Sequence, residues 1–356
     1  MIRVTLDHFG RMKLRSAKGL FDEQDVLQRL NQLNDLLPRL KAMIDWEAFR
    51  TRVEGVFPVS DPKKGGRPAF DKVMMLKVLV LQRIYDLSDD AAEFQITDRL
   101  SFRQFLGLEL QHKVPDAKTI WHFRERLKDA DVFDALFDDF LERIQAAGLL
   151  LNQGKIVDAT MVKAPVQRNT REENEQVKQD KLPRSWSPNK ARQKDIDARW
   201  GSKHGKNYFG YKNSIKVDRG SKLIEHFYVT GANVHDSQAL PHLASASDAG
   251  QQYLTDSAYG TPTNKQVLEG LGIDLQAVEP ARRNKPLTQE QQVWNWLRSR
   301  IRARVEHVFG HMTMCIKGLV VRCKNMDRAH GQIAMANLTY NMQRVLYLRR
   351  NTMGIV

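Results

Sequence analysis

The sequence predicts an all-helical N-terminal region followed by a mixed α/β sheet flanked by helices, and three observations carry that prediction. Up to residue 150 the apolar side chains recur every three to four positions, with capping residues at Asp71, Ser88 and Asp116. After Gly154 the period drops to two. Downstream, three meandering strands give way to alternating helices and strands, which puts helices on the faces of a mixed sheet.

Taken in order, Leu27, Leu30, Leu33, Leu37 and Leu40 predict an amphipathic helix, or a pair broken near Pro38, over Glu23 to Phe49. A turn-rich linker, Pro58 to Pro68, follows. Helices are then expected from Asp71 to Tyr85, Ser88 to Leu100, Ser101 to Gly107, Asp116 to Lys128 and Val132 to Ala147, the last stopped by Gly148. Strands are expected at Lys155 to Lys163, Phe209 to Val217 and Leu223 to Val229. Between the first two of these strands, residues 164–207 are polar and basic with no apolar period, which reads as a structureless segment that folds on a partner. Beyond lie a helix (Ser237 to Ala246), a strand (Gln252 to Asp256), a helix (Asn264 to Leu271), a strand (Asp274 to Val278), a helix from Gln289 and a last one from Gln332 to Leu348. The expected domains are a helical arm at 1–60, offering a dimer contact, a helical DNA-binding domain at 61–150, and a catalytic domain at 151–350 with the basic insertion at 164–207.

Charge narrows the class of partner. The 356 residues carry 56 Lys and Arg against 42 Asp and Glu, a net charge of +14, which favours a polyanion over a neutral metabolite. The excess is local: residues 1–162 balance, 163–222 hold 16 basic and 7 acidic side chains, 223–280 hold 1 and 7, and 281–350 hold 14 and 3. An acidic island between basic stretches suits carboxylates that hold metal beside a phosphate backbone. With 42% hydrophobic and 28% charged residues, global disorder is excluded. The most apolar stretch, Val73 to Leu81, contains Lys77 and falls short of the roughly 18 residues a membrane span needs. Met1 to Arg15 has no apolar block of a signal peptide, so a cytoplasmic chain without membrane contact is expected. Cys315 and Cys323 match neither a metal clamp nor a disulfide framework.

Three acids stand where a sheet would present them. Asp158 interrupts the apolar strand Ile156-Val157-Asp158-Ala159, and a charge there needs a partner or a metal. Asp256 ends the strand Tyr253-Leu254-Thr255, at the edge where open α/β sheets keep ligands. Glu306 lies in a basic helix one turn after Arg302. Converging, they would form a site for two Mg²⁺ or Mn²⁺ ions about 4 Å apart that clamp the attacking and leaving oxygens of a phosphoryl displacement. Against this stands a plainer account: a chain this rich in acids always offers three attractive ones, and Arg302 with Glu306 forms an ordinary surface pair. His307 and His311 are spaced unlike a zinc hydrolase motif, and His235 with Asp236 suits a helix cap as well as a site. Basic side chains offered to DNA are Arg67 in the linker; Lys118, Arg124, Arg126 and Lys128 on one helix; Lys206 and Lys212; and Arg298, Arg300 and Lys317. Trp186, Trp200, Tyr208 and Phe209 are candidates to stack on unpaired bases.

At these residues the sequence resembles the DDE transposases of bacterial insertion sequences, in the family typified by insertion sequence five. The blocks Gly66-Arg67-Pro68-Ala69-Phe70, Asp116 to Arg124, Ile156 to Thr160, Asn233-Val234-His235-Asp236-Ser237, Leu254 to Tyr259 and Arg302 to Glu306 occur in that family's order, from about Gly66 to Leu348. The resemblance implies a ribonuclease-H-like catalytic domain whose ligands to two Mg²⁺ ions are Asp158, Asp256 and Glu306, with Arg302 in support. It implies a transposase that binds the terminal inverted repeats of its element, cleaves double-stranded DNA and joins the freed end to target DNA. It also implies a homodimer and a bacterial, nucleoid-associated cytoplasmic location. The family's Tyr and Lys on the stripe of the third acid are replaced here by Ser299 and Thr313, with Lys317 a turn farther along if the helix is continuous. The alternatives are a transposase-derived, sequence-specific DNA-binding protein without catalysis, for which those two replacements speak, and a nuclease without strand transfer.

Overall fold

In the computed structural model the described residues are 3–6, 12–15, 22–33, 35–58, 68–203, 205–281, 286–316 and 320–353. Strands β1 (Arg3–Leu6) and β2 (Met12–Arg15) form an antiparallel pair. Helices α1 (Asp22–Gln32) and α2 (Leu36–Met43) replace the single predicted helix, and the break precedes Pro38. Pro38 instead occupies the first turn of α2, where its missing N–H would have had no partner in any case. After one 3₁₀ turn come α3 (Arg50–Glu54), α4 (Lys72–Tyr85), α5 (Asp89–Asp98), α6 (Leu100–Leu106), α7 (Ala117–Asp129) and α8 (Phe133–Ala146). Asp71, Ser88 and Asp116 cap α4, α5 and α7 as expected, each accepting from the backbone N–H three residues on. Ten of the fourteen residues of α4 are buried, so this helix runs through the core rather than along its surface.

The C-terminal half starts with β3 (Lys155–Lys163), as the alternation predicts. Next come α9 (Arg171–Lys178), α10 (Pro188–Arg192), β4 (Arg199–Lys203), β5 (Lys206–Asp218) and β6 (Ile224–Gly231). Helix α11 is reduced to Leu240–Leu243, and β7 (Gln252–Thr255), α12 (Pro262–Gly270) and β8 (Asp274–Ala277) follow. Three helices, α13 (Gln289–Arg302), α14 (Arg304–Met314) and α15 (Met326–Met353), close the chain. The sheet runs β4-β5-β3-β7-β8, with β6 also paired to β5. Strand β3 is antiparallel to β5 and parallel to β7, so the sheet is mixed. Among the described residues no helix is long and apolar enough to cross a membrane.

Residues 164–207 are not structureless. A full capping box at Thr170 and Glu173 starts α9, Ser187 caps α10, and Val177, Trp186, Asp195 and Ala198 are buried. The Lys190 ammonium, hydrogen-bonded to Glu173, holds that carboxyl down at about 2. The segment has no helical or strand period because a few anchors, not a repeating face, fix it. Trp186 is one of them and is enclosed beneath Lys190 and Lys194, which removes it from the bases it was expected to stack on.

One core is continuous through both halves. Helix α15 places Ile333, Leu338, Met342 and Leu346 against α4, α8 and β6, each such burial contributing about 1.5–3 kcal/mol. Gly331 lets α15 approach α8 closely: a Cβ there would fall 2.5 Å from the Phe133 ring. A second, smaller core lies around Val157, Leu240, Tyr253, Tyr259 and Leu268. Buried ion pairs also stitch the sheet: Lys155 to Glu225 at 2.5 Å and Lys216 to Asp248 at 2.6 Å, the latter carboxylate also accepting from Tyr253 Oη. Alternation along β5 thus separates an apolar side from a buried polar side, where the sequence pattern suggested only one buried face.

Candidate active site

The parallel register of β3 and β7 positions the first two acids. Lys155 pairs with Tyr253 and Ile156 with Leu254, so two residues on, Asp158 comes level with Asp256 on the same face of the sheet. Asp256 directly follows β7 and caps the 3₁₀ turn Ser257–Tyr259, its Oδ1 accepting from Ala258 N at 2.9 Å. Asp158 is 4% exposed. Its Oδ1 accepts from its own following amide, Ala159 N, at 2.8 Å, and its Oδ2 accepts from Arg302 Nη1 at 2.7 Å.

Electrostatics here are dominated by burial, which raises the Asp158 pKa. The Ala159 N–H, Arg302 and Lys203 pull it back down, and the Asp256 carboxylate pushes it up, so the two acids feel each other. Lys203 reaches the site from β4, donating to Ala159 O at 2.7 Å. Tyr259, fully buried, lies within electrostatic reach of Asp158, Asp256, Asp236 and Arg302, and burial drives its hydroxyl pKa far up. Two donors in this cluster, Tyr259 Oη and Arg302 Nε, are buried without a partner among the described residues. Unpaired buried donors are unfavourable by about 1–3 kcal/mol each and call for an acceptor oxygen.

Glu306 is not gathered with them. It stays exposed in the first turn of α14, and among the described residues no group of three or more His, Cys, Asp and Glu side chains is arranged to hold a metal. The reason is local: the helix expected to run on from Gln289 breaks at Ala303, ending α13 at Arg302 and restarting as α14. The single stripe through 299, 302, 306 and 313 is therefore interrupted, and Arg302 turns to Asp158 instead of pairing with Glu306. Thr313 donates to Phe309 O within α14. Lys317 and Arg67 lie outside the described residues.

Several cations expected to face DNA are engaged within the protein. Lys212 is buried and donates to Asp236 and Val234 O, both at 2.6 Å. Arg124 forms a two-pronged pair with Asp89 at 2.7 and 2.8 Å. Lys128 contacts Asp129 at 2.6 Å, and Arg298 ties α13 to β8 through Gln276 and Ala277 O. Apart from the exposed Asp129, their acceptors are interior or half-buried and come from other elements, which sequence spacing cannot foresee. Lys118, Arg126, Lys206 and Arg300 remain exposed. His235 caps a short turn through Ser237, and His311 bonds Gln343, so neither joins a metal group among the described residues. Sequence reasoning missed Lys203 and Tyr259. The first had no signal; the second stands three residues after Asp256, one 3₁₀ turn on, and could have been read from that spacing.

The N-terminal helices and the mixed sheet that follows them each correspond to a transposase domain. Residues 24–126 match the family model described as "Transposase domain (DUF772)". Residues 151–342, more than half of the chain, match the one described as "Transposase DDE domain", and the chain belongs to this DDE transposase family. A cryo-EM structure of the piggyBac transposase synaptic complex with hairpin DNA is distantly similar, at 11% identity and a TM-score of 0.43, over 94% of this chain and 77% of that one.

Proposed function

We propose that this chain binds the terminal inverted repeats of an insertion sequence, cleaves the DNA there and transfers the freed strand to target DNA. The catalytic domain is read as ribonuclease-H-like, of the insertion-sequence-five type. The observation that carries the reading is the parallel register of β3 and β7, which brings Asp158 in β3 level with Asp256 just past the end of β7, beside two buried donors that lack acceptors among the described residues.

These residues fit a divalent cation. Mg²⁺ is usually held by one or two carboxylates, with water and substrate phosphate completing its shell, so a pair of aspartates suffices for a first ion. Asp158 and Asp256 would hold it, and Glu306 is the candidate for the third carboxylate. Bound there, Mg²⁺ or Mn²⁺ supplies positive charge that polarises a phosphodiester and acidifies water. The protein's own groups do the rest. Arg302 and Lys203 counter the burial of Asp158 and favour its anionic, ligating form. Tyr259, its hydroxyl kept protonated by burial, donates to a phosphate or water oxygen, as does Arg302 Nε. A homodimer holding two element ends is part of the proposal.

Nicking of duplex DNA carrying an element end tests it. Wild-type protein should nick with Mg²⁺ and not with EDTA. Asp158→Asn, Asp256→Asn and Glu306→Gln should each bind the end normally and nick about a hundred- to a thousandfold more slowly, the scale of losing one preorganised electrostatic group. Undiminished nicking by one variant removes that residue from the site. A second reading, a DNA-binding protein without catalysis, is favoured by the Arg302 hydrogen bond on Asp158 and by the exposed Glu306. Normal end binding with no nicking in Mg²⁺ above the protein-free control would select it.

A further inference from the structure

A cavity of about 460 Å³ opens where α4, α7, α10 and α15 meet, joining the N-terminal helices to the basic insertion and the C-terminal helix. Seven cationic side chains line it against two carboxylates, Asp89 and Glu125. Those two are already engaged: Asp89 by Arg124 at 2.7 Å and Glu125 by Arg328 at 2.7 Å. Arg322 is paired with Asp86 at 2.7 Å. Arg83, Arg192 and Lys324 have no hydrogen-bonded or ion-paired partner among the described residues. Arg83 matters most. It is half-buried in the cavity wall, where burial lowers its pKa and the Asp86 carboxylate, already paired with Arg322, offsets this only in part; an arginine stays charged, so this cation lacks a direct partner among the described residues. Such an arrangement is unfavourable unless an anion completes it.

We infer that this cavity is a phosphate-binding site for the DNA backbone, with Arg83 at its floor and Arg192 and Lys324 completing the grip on one or two phosphodiesters. The inference rests on the reading of the chain as a DNA-acting transposase, and it adds a binding surface separate from the acid pair. Two features favour a polymer over a free ion. Trp121, 41% exposed, contributes an apolar wall suited to sugar or base, and Lys118, exposed one turn earlier on the same stripe of α7, continues the cationic track beyond the cavity. Arg192 belongs to the basic insertion, so DNA seated here would bridge that insertion to the N-terminal helices.

The test is the salt dependence of duplex DNA binding by the full chain, measured in EDTA by fluorescence anisotropy. Each phosphate contact contributes about 0.9 to the slope of log K against log salt. The pair Arg192→Gln with Lys324→Gln, one exposed and one half-buried, should lower that slope by about 1.8 and weaken binding equally for all sequences. Arg83→Gln, if folded by circular dichroism, should lower it by about 0.9. An unchanged slope in the folded double variant overturns the inference, even if Arg83→Gln does not fold. Inorganic phosphate that stabilises the wild type but not the double variant, with the DNA slope unchanged, also overturns it, by assigning the cavity to a free ion. Because binding is read in EDTA, failure here leaves the nicking proposal standing, and loss of nicking leaves this inference standing.

Discussion

Replacing Arg302 with Met keeps the packing stem and removes the charge that faces Asp158, and its consequence follows from the burial of that carboxylate. Asp158 is 4% exposed and, among the described residues, accepts only from Ala159 N and Arg302. Breaking a buried pair by removing one partner is unfavourable by about 3–5 kcal/mol. Arg302 keeps 26% side-chain exposure, so water relieves part of this, and a loss near the low end, about 3 kcal/mol at pH 7, is expected. The Tm should fall by about 6 °C. The pH dependence fixes the cause. Burial raises the folded pKa of Asp158, so the fold disfavours its charged form; that penalty is absent below the ordinary carboxylate range and sets in as pH rises through the raised value. Without Arg302, which pulls the pKa down, the window moves higher. Thermal denaturation from pH 4 to 8 should therefore show Arg302→Met close to wild type at acid pH and progressively weaker above. Adding Asp158→Asn should restore most of the loss, a coupling of about 2–3 kcal/mol. If the double variant is as unstable as the single one, or the deficit is the same at every pH, Asp158 is not the uncompensated charge and the reasoning fails.

Other consequences can be checked independently. Lys216→Met strands Asp248 in the core beside Tyr253 and should destabilise the protein by about 3–5 kcal/mol in urea titration, partly recovered by Asp248→Asn. Gly210→Ala should do comparable damage, about 3–5 kcal/mol, since Gly210 has φ +149 and a Cβ there would lie 2.1 Å from Val162 O, between β3 and β5; normal stability would show that the two strands are not packed this closely. With iodoacetamide at pH 8, the exposed Cys315 should be labelled first. Burial pushes the Cys323 thiol up to about 11, leaving roughly one part in a thousand as thiolate, so labelling of Cys323 as fast as Cys315 in the native protein would contradict its enclosure.

Local chemistry made much of the fold legible. Asp71, Ser88 and Asp116 mark helix starts by a hydrogen bond that each residue makes three positions on, and Lys155 to Lys163 reads as a strand from its own alternation. Asp158 and Asp256 stand out for the same reason: each is a charge at an otherwise apolar strand, anomalous in its immediate surroundings. What failed was any inference that needed knowledge of a distant surface. The polar run 164–207 looked structureless because Trp186, Val177 and Asp195 anchor it singly, without a period.

The succession of elements, the excess of positive charge and the two acids at apolar strands are legible from residue order alone, because each depends on neighbours within a turn or a strand. Which charges are free is settled by long-range packing. It broke the helix at Ala303 and gave Arg302 to Asp158, turned Lys212 inward to Asp236, and left Arg83 half-buried with no hydrogen-bonded partner among the described residues. The physical reason is that a charge acts on whatever lies within a few ångströms of it, and for these residues the partners come from elements tens to more than a hundred positions away.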